Sequence, residues 1–224
     1  MCIKNCNKQR QSKGGNLSTY TLPDLGYEYS DLEPCVSAEA LELHHDKHHR
    51  AYVDGANVTL NDLGEARKTG DYSTLNQLQR NLAFHVSGHV LHSMLWNVMA
   101  PNAGSKPGPY LTQAIEKSFG SFDNMIKQMS ECALGVQGSG WASLAWDPVS
   151  RRLLVEQVHD HHGNIGNASL PVLVLDMWEH AYYLQYRNDK ARWVSAFWEI
   201  VNWADVTERL RSVSQVDLSL GQGS

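Results

Sequence analysis

Residues 170–183 read Leu-Pro-Val-Leu-Val-Leu-Asp-Met-Trp-Glu-His-Ala-Tyr-Tyr, an unbroken apolar run that ends on a carboxylate and gives way to polar and aromatic positions. A short apolar run rich in β-branched residues fits a buried strand over Pro171–Leu175, and helical character returns after Glu179. Asp176, Glu179 and His180 therefore stand together at a strand end. Upstream, Gly140–Trp146 and Arg152–His159 read as two more strands, with Asp147-Pro148 turning the first into the second. Three such strands predict a small antiparallel sheet. Helical patterns over Leu111–Phe119 and Phe122–Leu134 precede it. Trp193, Phe197 and Val201 at i, i+4 and i+8, then a last amphipathic segment to about Val213, follow it.

The regular structure expected in the first half of the chain is two helices joined by a polar, Gly-containing link. Ser37 offers an N-cap for a helix from Ala38 to about Asn61, on which Leu41, His44, His48, Ala51 and Tyr52 share a face. A second helix is expected over Ser73–Met99, where Leu78, Leu82, His85, His89, His92 and Trp96 recur at spacings of three or four. Pro101, Gly104, Pro107, Gly108 and Pro109 then mark a hinge. The expected architecture is α+β: an N-terminal helical hairpin domain over 20–106 and a C-terminal α/β domain with a three-stranded antiparallel sheet over 107–213. Residues 1–19 read as a disordered polar leader and 214–224 as a flexible tail. No internal repeat is visible.

Composition narrows the function classes. The 224 residues are 42% hydrophobic and include seven Trp, enough apolar surface for a real core. Nineteen Lys plus Arg against 24 Asp plus Glu give a charge of -5, which argues against nucleic acid or an anionic membrane as partner. Cys2, Cys6, Cys35 and Cys132 are scattered, and the Cys2–Cys6 spacing matches no zinc knuckle. The first nineteen residues lack the apolar stretch and cleavage site of a secretory signal, and no apolar run approaches the ~20 residues that span a bilayer. A cytoplasmic protein is the expectation.

All eleven histidines lie between His44 and His180, most of them in three clusters. In His44-His45-Asp46-Lys47-His48-His49, residues 44 and 48 share one helical face and 45 and 49 another, about 100° round. Imidazoles at i, i+4 can share a metal. The second helix adds His85, His89 and His92, and the strand end adds Asp176 and His180. A single helix histidine is more often a surface or core residue than a ligand, but three clusters point to a metal site. Imidazole and carboxylate without cysteine suit zinc, iron, manganese or nickel. Spacing does not resolve which histidines bind. A carboxylate-bridged di-metal bundle would need Glu-x-x-His pairs on two helices, and no such repeated pair occurs.

From Tyr20 to about Val213 the chain resembles the iron/manganese superoxide dismutases, in order and with family spacing. The matching blocks are Tyr-Thr-Leu-Pro-Asp-Leu at 20–25, Leu-His-His-Asp-Lys-His-His-Arg-Ala-Tyr-Val at 43–53 and Gly-His-Val-Leu-His-Ser at 88–93. Gly-Ser-Gly-Trp-Ala at 138–142, Asp-Met-Trp-Glu-His-Ala-Tyr-Tyr at 176–183 and Val-Asn-Trp at 201–203 complete them. The resemblance implies a homodimer or homotetramer that converts superoxide to dioxygen and hydrogen peroxide by cycling one iron or manganese ion per subunit. It implies His44, His89, Asp176 and His180 as ligands, and places His48 and Tyr52 at the substrate funnel instead. Trp96, Trp141 and Trp178 are implied to wall the cavity. Glu179 and Tyr183 are implied to cross a two-fold interface, toward the partner's His180 and the partner's His48.

One position departs from much of that family. Where a glutamine commonly stands, on the second helix or after the second strand, this chain has His85 or His159-Asp160-His161-His162. Alignment puts His161 in that place, with His162 as the alternative. In the family a histidine there accompanies iron-using or metal-flexible members, so iron is the favoured metal. Lys47 and Arg50 flank the funnel histidines and could draw an anion toward them despite the negative net charge.

Overall fold

The computed structural model describes residues 19–103 and 106–218. The leader, apart from Thr19, the end of the tail and Gly104 in the hinge lie outside those residues, as do Cys2 and Cys6. Thr19 is tethered, its N–H donating to Asn57 Oδ1 at 2.9 Å. At the other end Ser214 donates its N–H to Leu210 O at 2.9 Å.

The first helix is capped as the sequence predicts: Ser37 Oγ accepts from the Ala40 N–H, and α1 runs over Ala38–Leu43. The histidine string then forms one π-helical turn, His44–His49, in which the Arg50 N–H reaches back to His45 O. Such turns widen the helix by a residue and re-aim its side chains. The axis continues as α2 over Arg50–Thr69, past the expected end at Asn61, because Leu63 and Ala66 extend the buried stripe. Gly70, at φ 73°, closes it in the left-handed conformation glycine favours. Helix α3, Leu75–Val98, packs along α2 to complete the hairpin. Gly55 permits the close approach, since a Cβ there would lie 2.5 Å from the His85 ring.

In the C-terminal domain α4, Pro109–Phe119, begins on proline and ends at Gly120, also left-handed. Ser121 caps α5, Phe122–Leu134, by accepting from the Asn124 N–H at 3.1 Å. Strands β1 (Gly140–Asp147), β2 (Arg152–His159) and β3 (Leu170–Asp176) form one antiparallel sheet in the order β2-β1-β3. The turn between β1 and β2 is held by the Asp147 carboxylate, which accepts from the Val149 and Ser150 N–H groups. Register sets Trp141 opposite both Val158 and Asp176. Helices α6 (Glu179–Tyr186), α7 (Lys190–Trp198) and α8 (Trp203–Val213) finish the chain.

The two domains meet at the end of α3. Ala100 donates to Ile200 O at 2.9 Å and Asn202 to Val98 O at 2.8 Å, so α3 is clamped beside the α7–α8 link. Around this junction Trp141, Leu144, Leu173 and Phe197 are buried completely. The clamp fixes which face of α3 looks at β3.

Candidate metal centre

Four side chains from four elements converge between the domains. His44 comes from the π-helical turn, His92 from α3, Asp176 from the end of β3 and His180 from the first turn of α6. Their ligand atoms all lie within 4.8 Å of one another. Asp176 Oδ2 stands 3.2 Å from His44 Nε2, 3.2 Å from His180 Nε2 and 3.7 Å from His92 Nε2. His92 and Asp176 are wholly buried, and His44 nearly so.

The expected set held His89, and here the structure differs. His89 sits one helical turn before His92 and faces the π-helical turn, its Nδ1 2.8 Å from His49 Nε2 and its ring 5.3 Å from Tyr20. The Trp96 indole donates to His49 Nδ1 at 2.8 Å, so His49 Nε2 carries the hydrogen and donates to His89. His89 therefore ends a hydrogen-bonded row outside the cluster. On α3 the residues 85, 89, 92 and 96 share a stripe, and only docking against β3 selects 92.

Tautomers follow from the partners. Gly88 O can only accept, so His92 Nδ1, 2.6 Å away, carries the hydrogen and Nε2 presents a bare lone pair. The Asp176 carboxylate accepts the Trp178 N–H through Oδ1 at 2.8 Å, which leaves Oδ2 toward the three imidazoles. Burial alone would raise its pKa, but His180 and His44 outweigh burial and hold the carboxyl well below the usual range. Burial pushes His44 down to about 4, against the raising effect of Asp176, and depresses His92 strongly as well. His44 Nε2 and His92 Nε2 have no hydrogen-bond partner among the described residues. Several buried lone pairs facing one carboxylate oxygen repel unless a cation sits among them. Three imidazole nitrogens and a carboxylate oxygen fit iron or manganese in chemistry and in number.

Aromatic side chains surround the four ligands. Trp96 packs 4.9 Å from the His44 ring and Trp141 5.0 Å from the His92 ring. Trp178 stacks on His161 at 4.4 Å. The Trp141 indole donates to His161 Nδ1 at 3.0 Å, so His161 Nε2 bears a hydrogen, and that atom is buried without a partner among the described residues. Burial lowers the His161 pKa to about 3, and the ring is neutral at physiological pH. His162, the alternative, is exposed. His85 does not reach this position. The α3 residue that does is Gly88, where a Cβ would come within 2.8 Å of the Tyr52 ring and 3.3 Å of His161. The sequence reading passed over Gly88, whose missing side chain leaves the space that His161 fills.

Tyr52 lies edge-on to His161 at 4.6 Å and tilted against His92 at 5.0 Å. Burial first, then Asp176 and Asp160, raise its phenol well above the ordinary value. His48 stacks on His180 at 4.3 Å and is half-buried. Both line a groove with Glu179, Tyr183 and Leu184. Glu179 is exposed, and Leu43, Tyr183 and Leu184 present 42%, 45% and 41% of their surface to solvent, an apolar patch beside the cluster.

Comparison with known proteins gives this geometry a family. The α-hairpin domain model of the iron/manganese superoxide dismutases matches residues 19–100 and the C-terminal domain model matches residues 107–209. "Superoxide dismutase [Mn/Fe]" of Propionibacterium freudenreichii subsp. shermanii is 53% identical over 194 residues, covering 86% of this chain and 96% of the relative. "Superoxide dismutase [Mn]" of Nocardia asteroides is 50% identical, covering 89% and 97%. "Superoxide dismutase [Fe]" of Mycobacterium tuberculosis is 49% identical, covering 86% and 93%. Similar identity to relatives named for either metal or both leaves the metal to local residues. The two domain matches span both halves of the pocket, and the chain belongs to the iron/manganese superoxide dismutase family.

Proposed function

We propose that this chain converts superoxide to dioxygen and hydrogen peroxide at one iron or manganese ion held by His44, His92, Asp176 and His180. The observation that carries the reading is the buried convergence of these four ligand atoms within 4.8 Å in a chain of this family. When bound, such an ion supplies reversible one-electron exchange, by which one superoxide is oxidised to dioxygen and a second, with two protons, is reduced to hydrogen peroxide.

The protein's own residues do the rest. His161 is held by the Trp141 indole and stacked on Trp178, so its Nε2–H is a fixed donor to an oxygen in the pocket. Tyr52 keeps its proton, since burial and nearby carboxylates disfavour the phenolate, and is placed to donate beside His161. His48, on the groove side of His180, can pass protons between the groove and the interior. The indoles of Trp96, Trp141 and Trp178 exclude water, which strengthens each of these interactions.

The apolar patch around Tyr183 and Leu184 supports a homodimer or homotetramer, with Glu179 directed to the partner's His180 and Tyr183 to the partner's His48. No helix among the described residues is long and apolar enough to cross a membrane, and the cytoplasm is the compartment we favour. His161 in place of an amide favours iron. The test is to strip the protein of metal, reload it with iron or manganese separately, and follow superoxide consumption. Turnover with at least one metal at about one ion per chain is expected; full loading with both and no turnover would overturn the proposal.

A further inference from the structure

A cavity at the far end of the central strand takes no part in this chemistry. Strand β1 runs from Trp141, beside the metal ligands, to Trp146, and at about 3.4 Å per residue the two positions stand roughly 17 Å apart. There α4, α8 and the β1–β2 turn border a half-open cavity of about 210 Å³, lined in part by Tyr110, Lys117, Ser118, Trp146, Arg151 and Leu210. Sites for drug-sized ligands begin near ~300 Å³, so this one admits a single substituted ring.

Its lining is prepared for an acceptor-rich guest. Trp146 is more than nine-tenths buried, and its indole N–H has no acceptor among the described residues. A buried donor left unpaired destabilises the fold until an acceptor reaches it. Ser118 Oγ already accepts the Leu153 N–H at 3.0 Å, which leaves its own proton to donate. Lys117 and Arg151 are exposed at the rim and form no ion pair among the described residues, although the chain is net negative. The aromatic wall is fixed in advance: the Arg211 guanidinium lies 4.2 Å over the Tyr110 ring, and the Tyr110 hydroxyl bonds Ser214 Oγ at 3.1 Å.

We propose that this cavity binds a small aromatic carboxylate. Its ring lies against Tyr110, Trp146 and Leu210, its carboxylate meets Lys117 and Arg151, and an oxygen at the opposite end of the ring accepts the Trp146 N–H. The indole nitrogen is sealed from water, so that oxygen reaches it with a small outward shift of the lining, offset by the hydrogen bond formed.

The probe is 4-hydroxybenzoate, titrated calorimetrically into the metal-loaded protein, with 4-methylphenol as the analogue lacking the carboxylate. Saturable binding of one molecule per chain is expected, at least tenfold weaker for 4-methylphenol and for Arg151→Ala or Lys117→Ala. In a spectrum of ¹⁵N-labelled indoles, the resonance that Trp146→Phe deletes should shift on titration. Both rim variants should keep wild-type superoxide turnover. Absence of saturable binding, equal affinity for the two probes, unaltered affinity in both rim variants, or an unmoved Trp146 resonance would each overturn the proposal. Unaltered affinity in the rim variants would place the anion at the metal instead.

Discussion

Two neighbours decide the chemistry of the pocket's inner imidazoles. A carbonyl at Gly88 makes His92 Nε2 a lone-pair donor, and an indole at Trp141 makes His161 Nε2 a hydrogen-bond donor. The same burial has a consequence for pH. Unfolded, these histidines gain protons near their ordinary value of 6.5; folded, burial holds His44 at about 4, and His49 and His161 at about 3. Between those limits the unfolded chain binds more protons, so stability falls as pH falls. His44 alone costs about 1.4 kcal/mol for each pH unit through that window. Urea unfolding of the metal-free protein at pH 7.5, 6.5 and 5.5 should show a small drop in midpoint over the first interval and a larger one over the second; an unchanged midpoint at 5.5 would refute this reading. Which histidine does what was only partly legible from sequence. His44 and His48 share a face at i, i+4, yet one meets Asp176 and the other stacks outside His180. The sequence carries the face, while the partner across it belongs to another domain.

Helix α3 shows the same limit at the scale of an element. Its histidines at 85, 89 and 92 were visible as a stripe, but the rotation that selects 92 is imposed by the Ala100–Ile200 and Asn202–Val98 hydrogen bonds. Those join residues a hundred positions apart, beyond the reach of any periodicity. Strand limits were more legible: Arg152–His159 agrees at both ends and β1 exceeds its expectation by Asp147 alone, because alternation and the Asp-Pro turn are local signals. The π-helical turn left no local signature in His44–His49, since its extra residue is accommodated by what the histidines pack against. Gly88 gives the helix its functional bare spot. Replacing it by Ala drives a Cβ into the Tyr52 ring, and overpacking of this kind costs about 1–3 kcal/mol. Gly88→Ala should retain metal while losing turnover and thermal stability, measured by metal analysis beside superoxide consumption. Wild-type activity in this variant would show that the Tyr52–His161 contact does not matter.

On the whole molecule, a net charge of -5 opposes an anionic substrate, and local fields must offset it. Lys47, in the histidine turn, and Arg50, the first residue of α2, are exposed and flank His48 in sequence. Lys47→Glu should slow turnover at low salt and flatten its ionic-strength dependence, because fields reach only about 10 Å at 0.1 M; an unchanged rate would reject steering by this residue. The two-domain arrangement was legible from the Pro- and Gly-rich hinge that follows residue 100, whereas the pocket depends on how the domains dock, with two ligands from the hairpin and two from β3 and α6. That docking is the central claim, and metal content reads it directly. Wild type, His92→Ala and His89→Ala should be purified alike and assayed for iron and manganese per chain. The account predicts about one ion in wild type and His89→Ala and nearly none in His92→Ala; metal kept by His92→Ala and lost by His89→Ala would contradict it.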